Sequence, residues 1–204
     1  MILQLRLRLS VILISLCFGV AHALSTEAII QDCNACHGID GASMAADIPI
    51  IGGFSDFYIT DVADVYRDRE RPCEEVAYPA GSGLSEVNDM CKVFDKLSDK
   101  QIQAVAEHYA SKPFVSAIQS FDAVKAKSGS IIHKKYCEKC HTENGSAADD
   151  DAGILAGQWM QYMETTFNQF DSNQRSMPSK MKRKYNKLSA ADKEALIHFY
   201  ASQN

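Results

Sequence analysis

Two stretches of this chain share one arrangement of apolar and polar positions. Residues 98–111 (SDKQIQAVAEHYAS) and 189–202 (SAADKEALIHFYAS) each open with a serine. Each then sets apolar side chains three and four residues apart. A serine in that place caps a helix, and that spacing puts the apolar side chains on one helical face. Residues 121–136 predict a further helix, which runs into a cysteine-bearing stretch. Glycine-rich segments at 38–53 and 81–83 read as loops. No run alternates in the way a half-buried strand does, so the pattern predicts an all-α fold.

The helical echo belongs to a longer repeat. Cys33-Asn34-Ala35-Cys36-His37 recurs as Cys137-Glu138-Lys139-Cys140-His141, 104 positions later. At the same offset Ile50-Ile51-Gly52-Gly53 matches Ile154-Leu155-Ala156-Gly157, and Tyr58 matches Tyr162. The offset then falls to 91. Met90 matches Met181, Leu97-Ser98 matches Leu188-Ser189, and Tyr109-Ala110-Ser111 matches Tyr200-Ala201-Ser202. The first copy therefore holds 13 extra residues between Tyr58 and Met90. Pro113 disfavours helix at the residue before it, which predicts modules at 24–113 and 114–204. Each is small for a purely apolar core, and such modules gain from a staple or a bound group.

Residues 1–23 read as a secretory signal. Arg6 and Arg8 precede a short apolar run from Leu9 to Val20, and Ala21-His22-Ala23 is a small-x-small cleavage site. The run is short for a hydrocarbon core roughly 30 Å thick, so removal is expected rather than anchoring, with no membrane span left afterwards. Cys17 leaves with the signal, and six of the seven cysteines remain. Export places the chain in an oxidising compartment, read here as a bacterial periplasm. The formal net charge of −5 is a poor match to nucleic acid, which demands a basic surface. No flavin or nicotinamide fingerprint is present.

Cys-x-x-Cys-His is the attachment sequence for c-type haem. Thiols three residues apart share a helical face and can add to the two vinyl groups of one porphyrin. The histidine that follows points its imidazole at the iron. Two copies in an exported chain predict two covalently bound haem c groups: Cys33, Cys36 and His37 for one, Cys137, Cys140 and His141 for the other. A four-cysteine zinc site leaves the paired histidines and methionines unexplained. A redox dithiol belongs in a strand–helix setting that the pattern lacks.

The repeat nominates Met90 and Met181 as sixth ligands. A thioether stabilises ferrous iron and raises the reduction potential, and a filled sixth position favours electron transfer over catalysis at iron. Met177, before Pro178, competes in the second module, and Met44 competes weakly in the first. Pro49 and Gly153 each stand 12 residues after a ligand histidine, where a backbone carbonyl can orient the ring. Trp159, the tyrosines, His108, His133 and His198 read as packing or helix residues.

These residues resemble the di-haem cytochromes c of the c-four type. That resemblance implies two class-I cytochrome c domains related by an approximate two-fold axis. Within the second half, residues 135–141 (KYCEKCH), 154–159 (ILAGQW) and 199–203 (FYASQ) are similar to the cytochrome subunit of flavocytochrome c sulfide dehydrogenase. There a separate flavoprotein oxidises sulfide and passes electrons to the haems. The resemblance covers the mature chain and is weakest from about residue 58 to 89. It implies an electron carrier with a flavoprotein subunit as partner and other periplasmic redox proteins beyond it. Two cysteines depart from the simple pattern, Cys73 in the lengthened stretch and Cys91 directly after Met90, and a disulfide between them is expected.

Charge is split unevenly. Residues 24–113 hold 7 basic and 16 acidic side chains, and residues 114–204 hold 12 basic and 10 acidic. Lys180, Lys182, Arg183, Lys184 and Lys187 surround Met181. Glu74, Glu75, Glu86 and Asp89 lead to Met90. This split predicts different partners at the two haem edges. The competing readings are a free-standing carrier to a terminal oxidase, a di-haem peroxidase and a zinc module. Each iron's methionine candidate argues against the peroxidase.

Overall fold

The computed structural model describes residues 25–75 and 89–203. The expected signal at 1–23, with Cys17, lies outside these residues, as do the loop at 81–83 and Glu86. Among the described residues there are eight α-helices and no strand. They are α1 (Thr26–His37), α2 (Asp56–Arg67), α3 (Met90–Lys96), α4 (Asp99–Ala110), α5 (Ala123–Tyr136), α6 (Met160–Asp171), α7 (Ser179–Tyr185) and α8 (Ala190–Ala201). None of these is long and apolar enough to cross a membrane.

The repeat is written into the backbone. The bounds of α2 shifted by 104 are those of α6, and the bounds of α4 shifted by 91 are those of α8. Ser98 and Ser189 form capping boxes with Gln101 and Asp192, each contributing about 1 kcal/mol. One-turn 3₁₀ segments Ile39–Gly41 and Glu143–Gly145 occupy matching places. The left-handed residues inside them, Asp40 (φ 57°) and Asn144 (φ 61°), correspond as well. Gly53 N–H donates to the Tyr109 carbonyl at 2.9 Å, and Gly157 N–H donates to the Tyr200 carbonyl at 2.8 Å. Both glycines have φ between 70° and 80°, where a Cβ is strained.

Each half has its own apolar core. The first gathers Ile29, Phe54, Ile59, Phe94, Ile102 and Tyr109, with Ile154 of the second half among them. Phe114, beyond the expected boundary at 113, also packs on this core and stacks on Phe54 with ring centroids 6.3 Å apart. The second gathers Met163, Leu196, Ile197, Phe199 and Tyr200. There α5 crosses α8 at Gly129, where a Cβ would lie 2.1 Å from the Ala195 carbonyl oxygen.

Cys73 and Cys91 are joined in a disulfide that closes an 18-residue separation. Cys91 is the second residue of α3, so the bridge ties the turn carrying Met90 to the segment after α2. Loop-closure entropy puts its contribution at about 3 kcal/mol. The paired variant Cys73→Ser/Cys91→Ser is expected to lose about that much in denaturant unfolding, and an unchanged midpoint would refute it.

Candidate functional site

In the first half, α1 runs through the whole attachment sequence, so Cys33, Cys36 and His37 lie on its last turns. Gly38, at φ 76°, ends the helix and turns the chain away. The His37 Nδ1–H donates to the Pro49 carbonyl oxygen at 2.9 Å. That bond fixes the tautomer, because a carbonyl only accepts, and it leaves the Nε2 lone pair for a metal. Burial pushes the His37 pKa down, against the pull of Pro49, so the ring is neutral as ligation requires.

Cys33, Cys36, His37, Pro49 and Met90 line one cleft of about 1580 Å³, its open mouth included. Apolar side chains such as Ile51, Ile59, Val93 and Phe94 form its walls. Met90 opens α3 directly after Asp89, whose carboxylate caps the helix by accepting from Lys92 N–H at 2.8 Å. Asp89 is buried and pairs with the Lys92 ammonium at 2.8 Å, so it is not a surface charge, as the sequence pattern implied. Met44, the other candidate in this half, is 92% exposed.

The second half reaches the same chemistry by a different backbone. Here α5 stops at Tyr136, and Cys137 is its cap. The three-residue approach of the thiols comes from a turn, with Cys140 and His141 N–H groups both donating to the Cys137 carbonyl at 3.0 and 3.1 Å. Burial, with the nearby His133, pushes His141 down to about 4 against the opposing pull of Asp150. Unlike Pro49, Gly153 accepts nothing from the His141 ring among the described hydrogen bonds. It lies instead beneath Tyr58, whose hydroxyl would be 2.7 Å from any Cβ there. Met181 is half-buried in α7 and Met177 half-buried before it. Burial raises the Cys137 pKa, against the opposing pull of the Tyr200 hydroxyl and of the Lys184 charge.

His133, read from sequence as a helix residue, is fully buried. Its Nδ1 pairs with the Tyr200 hydroxyl at 3.0 Å, and its Nε2 pairs with the Glu138 carboxylate. It thus binds α5, α8 and the attachment turn into one unit. Its only sequence mark is a polar residue at an inward helical position. The other missed residue is Arg71, which lines the first cleft and is almost entirely buried. Its guanidinium carbon lies 5.2 Å from the Tyr66 ring centroid. Burial opposes its charge, but the neighbouring Tyr58, Tyr162 and Tyr66 hold its pKa above the ordinary value.

These groups suit a c-type haem. The cleft offers apolar walls to a flat porphyrin, two thiols for its vinyl groups, an imidazole, and a thioether carried on α3. It also holds a buried cation, which needs an anion in a low-dielectric place. The two propionates of a bound haem would supply that charge. Burial, with the Asp32 charge, pushes the Cys33 thiol up to about 12, opposite to the lowered value of a redox-active thiol. A shared zinc site is not formed. Among the described residues, no cluster of metal-binding side chains includes Cys33, Cys36, Cys137 or Cys140.

Comparison with known proteins agrees with this reading. Residues 124–199 match the family model described as cytochrome C oxidase, cbb3-type, subunit III. The chain is 28% identical over 172 residues to cytochrome c4 of Azotobacter vinelandii, covering 78% of each chain. It is 27% identical over 198 residues to cytochrome c4 of Stutzerimonas stutzeri, covering 89% of this chain and 90% of that one. In fold it resembles cytochrome c4 of Acidithiobacillus ferrooxidans, with TM-score 0.67, 21% identity and coverage of 84% and 98%. A thiosulfate dehydrogenase (TsdBA) from Marichromatium purpuratum gives TM-score 0.69 at 19% identity, covering 88% of this chain but 40% of that one. Duplicated attachment sequences, paired all-helical halves and these relatives converge: the chain is an electron-transfer protein with two covalently bound haem c groups, similar to the c4-type di-haem cytochromes c.

Proposed function

We propose that residues 24–113 and 114–204 form the two haem-bearing modules, exported to the periplasm on removal of residues 1–23. In the first, Cys33 and Cys36 provide the thioether links, His37 the proximal ligand and Met90 the distal one. In the second, Cys137, Cys140, His141 and Met181 take the same roles. The observation that carries this reading is the first cleft, where a tautomer-fixed imidazole, a thioether and both thiols face one apolar space. Haem bound there supplies a one-electron ferric–ferrous couple. The chain's own work is to hold that couple in place. Pro49 fixes the His37 ring, and the Asp89 cap and the Cys73–Cys91 bridge fix the Met90 turn. Arg71 would balance the propionate charge, and the apolar walls would keep water away.

The finer reading is that this chain is the haem subunit of a sulfide-oxidising flavoprotein. It rests on the second-half sequences KYCEKCH, ILAGQW and FYASQ and on the charge split. The basic side chains of α7 are exposed, while the first half is net acidic. Such asymmetry steers charged partners and makes encounter rates fall with salt. Native purification tests the reading: a flavin-containing protein should co-migrate, and its reduction of this chain should slow as ionic strength rises. Purification as a lone red protein, with full activity toward a terminal oxidase, would support a free-standing carrier instead. The near full-length match to proteins named cytochrome c4 favours that second reading.

A further inference from the structure

The Pro49–Ile50 peptide is gripped from both halves of the molecule. Its carbonyl accepts the His37 Nδ1–H at 2.9 Å. Its N–H, the Ile50 amide, donates to the Gln158 side-chain oxygen at 3.0 Å. These are the two ends of one planar, conjugated unit. The Gln158 side-chain NH₂ also donates to the Ile50 carbonyl at 3.0 Å, which sets the amide's orientation. Gln158 is 1% exposed and is itself pinned, since its backbone carbonyl accepts from the Gln119 side chain at 2.8 Å.

We infer that Gln158, a residue of the second module, tunes the proximal histidine of the first through the Pro49–Ile50 peptide. Hydrogen bonds in series polarise one another. An acceptor on the Ile50 N–H makes the Pro49 oxygen more negative, hence a stronger acceptor for the His37 Nδ1–H. A more strongly bonded ring is a more basic ligand, and a more basic ligand stabilises ferric iron. Gln158 therefore lowers the potential of the first haem. The relay runs one way only. The position that repeats Gln158 in the first module is Phe54, which accepts no hydrogen bond, and Gly153 accepts none from His141 among the described bonds. Two modules built from one repeat thus receive different proximal environments.

This inference rests on the proposed ligation by His37, and the experiment separates the two. Gln158→Met keeps the length and apolar bulk of the side chain and removes both bonds to Ile50. In the holoprotein with ¹⁵N-labelled histidine, the His37 ring signals should move toward a weaker hydrogen bond while those of His141 stay put. One of the two potentials should rise. Trp159→Phe is the control. It deletes a comparable contact between the halves, Trp159 Nε1–H to the Ser43 carbonyl at 2.9 Å, without touching the Pro49–Ile50 peptide, and should leave the His37 signals where they are. Unmoved His37 signals in Gln158→Met, or equal movement in both variants, would overturn the relay while leaving the ligation intact. A Cys33–Cys36 peptide that carries no haem mass would overturn the ligation itself, and the relay with it.

Discussion

Gly129→Ala should cost the second module about 1–2 kcal/mol net, even though alanine is the better helix former. The two effects oppose each other. Replacing glycine within a helix gains up to about 1 kcal/mol from propensity. The added Cβ, however, would lie 2.1 Å from the Ala195 carbonyl oxygen and 2.6 Å from the Phe199 Cβ. The first of these is backbone and cannot rotate away, so α5 and α8 must separate. Overpacking of this kind costs about 1–3 kcal/mol and sometimes more. Separation would also stretch the bonds that cross the same interface, among them His133 to Tyr200. Thermal unfolding of the holoprotein checks the expectation, and a melting point equal to that of the parent chain would show that the helices are free to part. Gly129→Val should be worse, because a β-branched side chain adds two methyls at the same point.

Met90→Ala should lower one of the two haem potentials and leave the other in place. The thioether favours ferrous iron, and axial ligands as a class move potentials across roughly 0.8 V, so its loss should be plain in a redox titration. The backbone around the site should hold. Asp89 still caps α3, and Cys91 still anchors it to Cys73, so the variant removes the sulfur and little else. The opened position should also accept added imidazole, visible as a spectral change in half of the haem. Two unchanged potentials would show that another group fills this place.

Much of this architecture is legible in the sequence, because a duplicated chain is its own internal control. Matching offsets of 104 and 91 mark the equivalent helices and the capping serines before any coordinate is known. The cysteine pair left over from the two attachment sequences also points to its own bridge. Most of what escapes is non-local or unrepeated. Arg71 does recur at the 104 offset as Arg175, and the two guanidinium groups lie over the matching rings of Tyr66 and Phe170, but a lone arginine just past a helix reads as a surface charge. Gln158 and Ile50 are 108 residues apart, and no periodicity reports a bond over that distance. His133 sits in a good helix, and only the side chains of Tyr200 and Glu138 give it a role. The turn at Cys137–His141 shows that identical spacing can be met by two backbones, since i,i+3 proximity belongs to turns as well as helices.

The presence of Ile154 in the first core bears on how the molecule is made. A chain that appears N-terminus first has produced every helix of its leading half well before residue 154 follows. Until then that half lacks one wall of its own interior. The two halves of this duplicated protein are therefore not interchangeable beads on a string: the trailing one supplies the plug that finishes the leading one, and dividing the gene at the repeat boundary would leave an open seam.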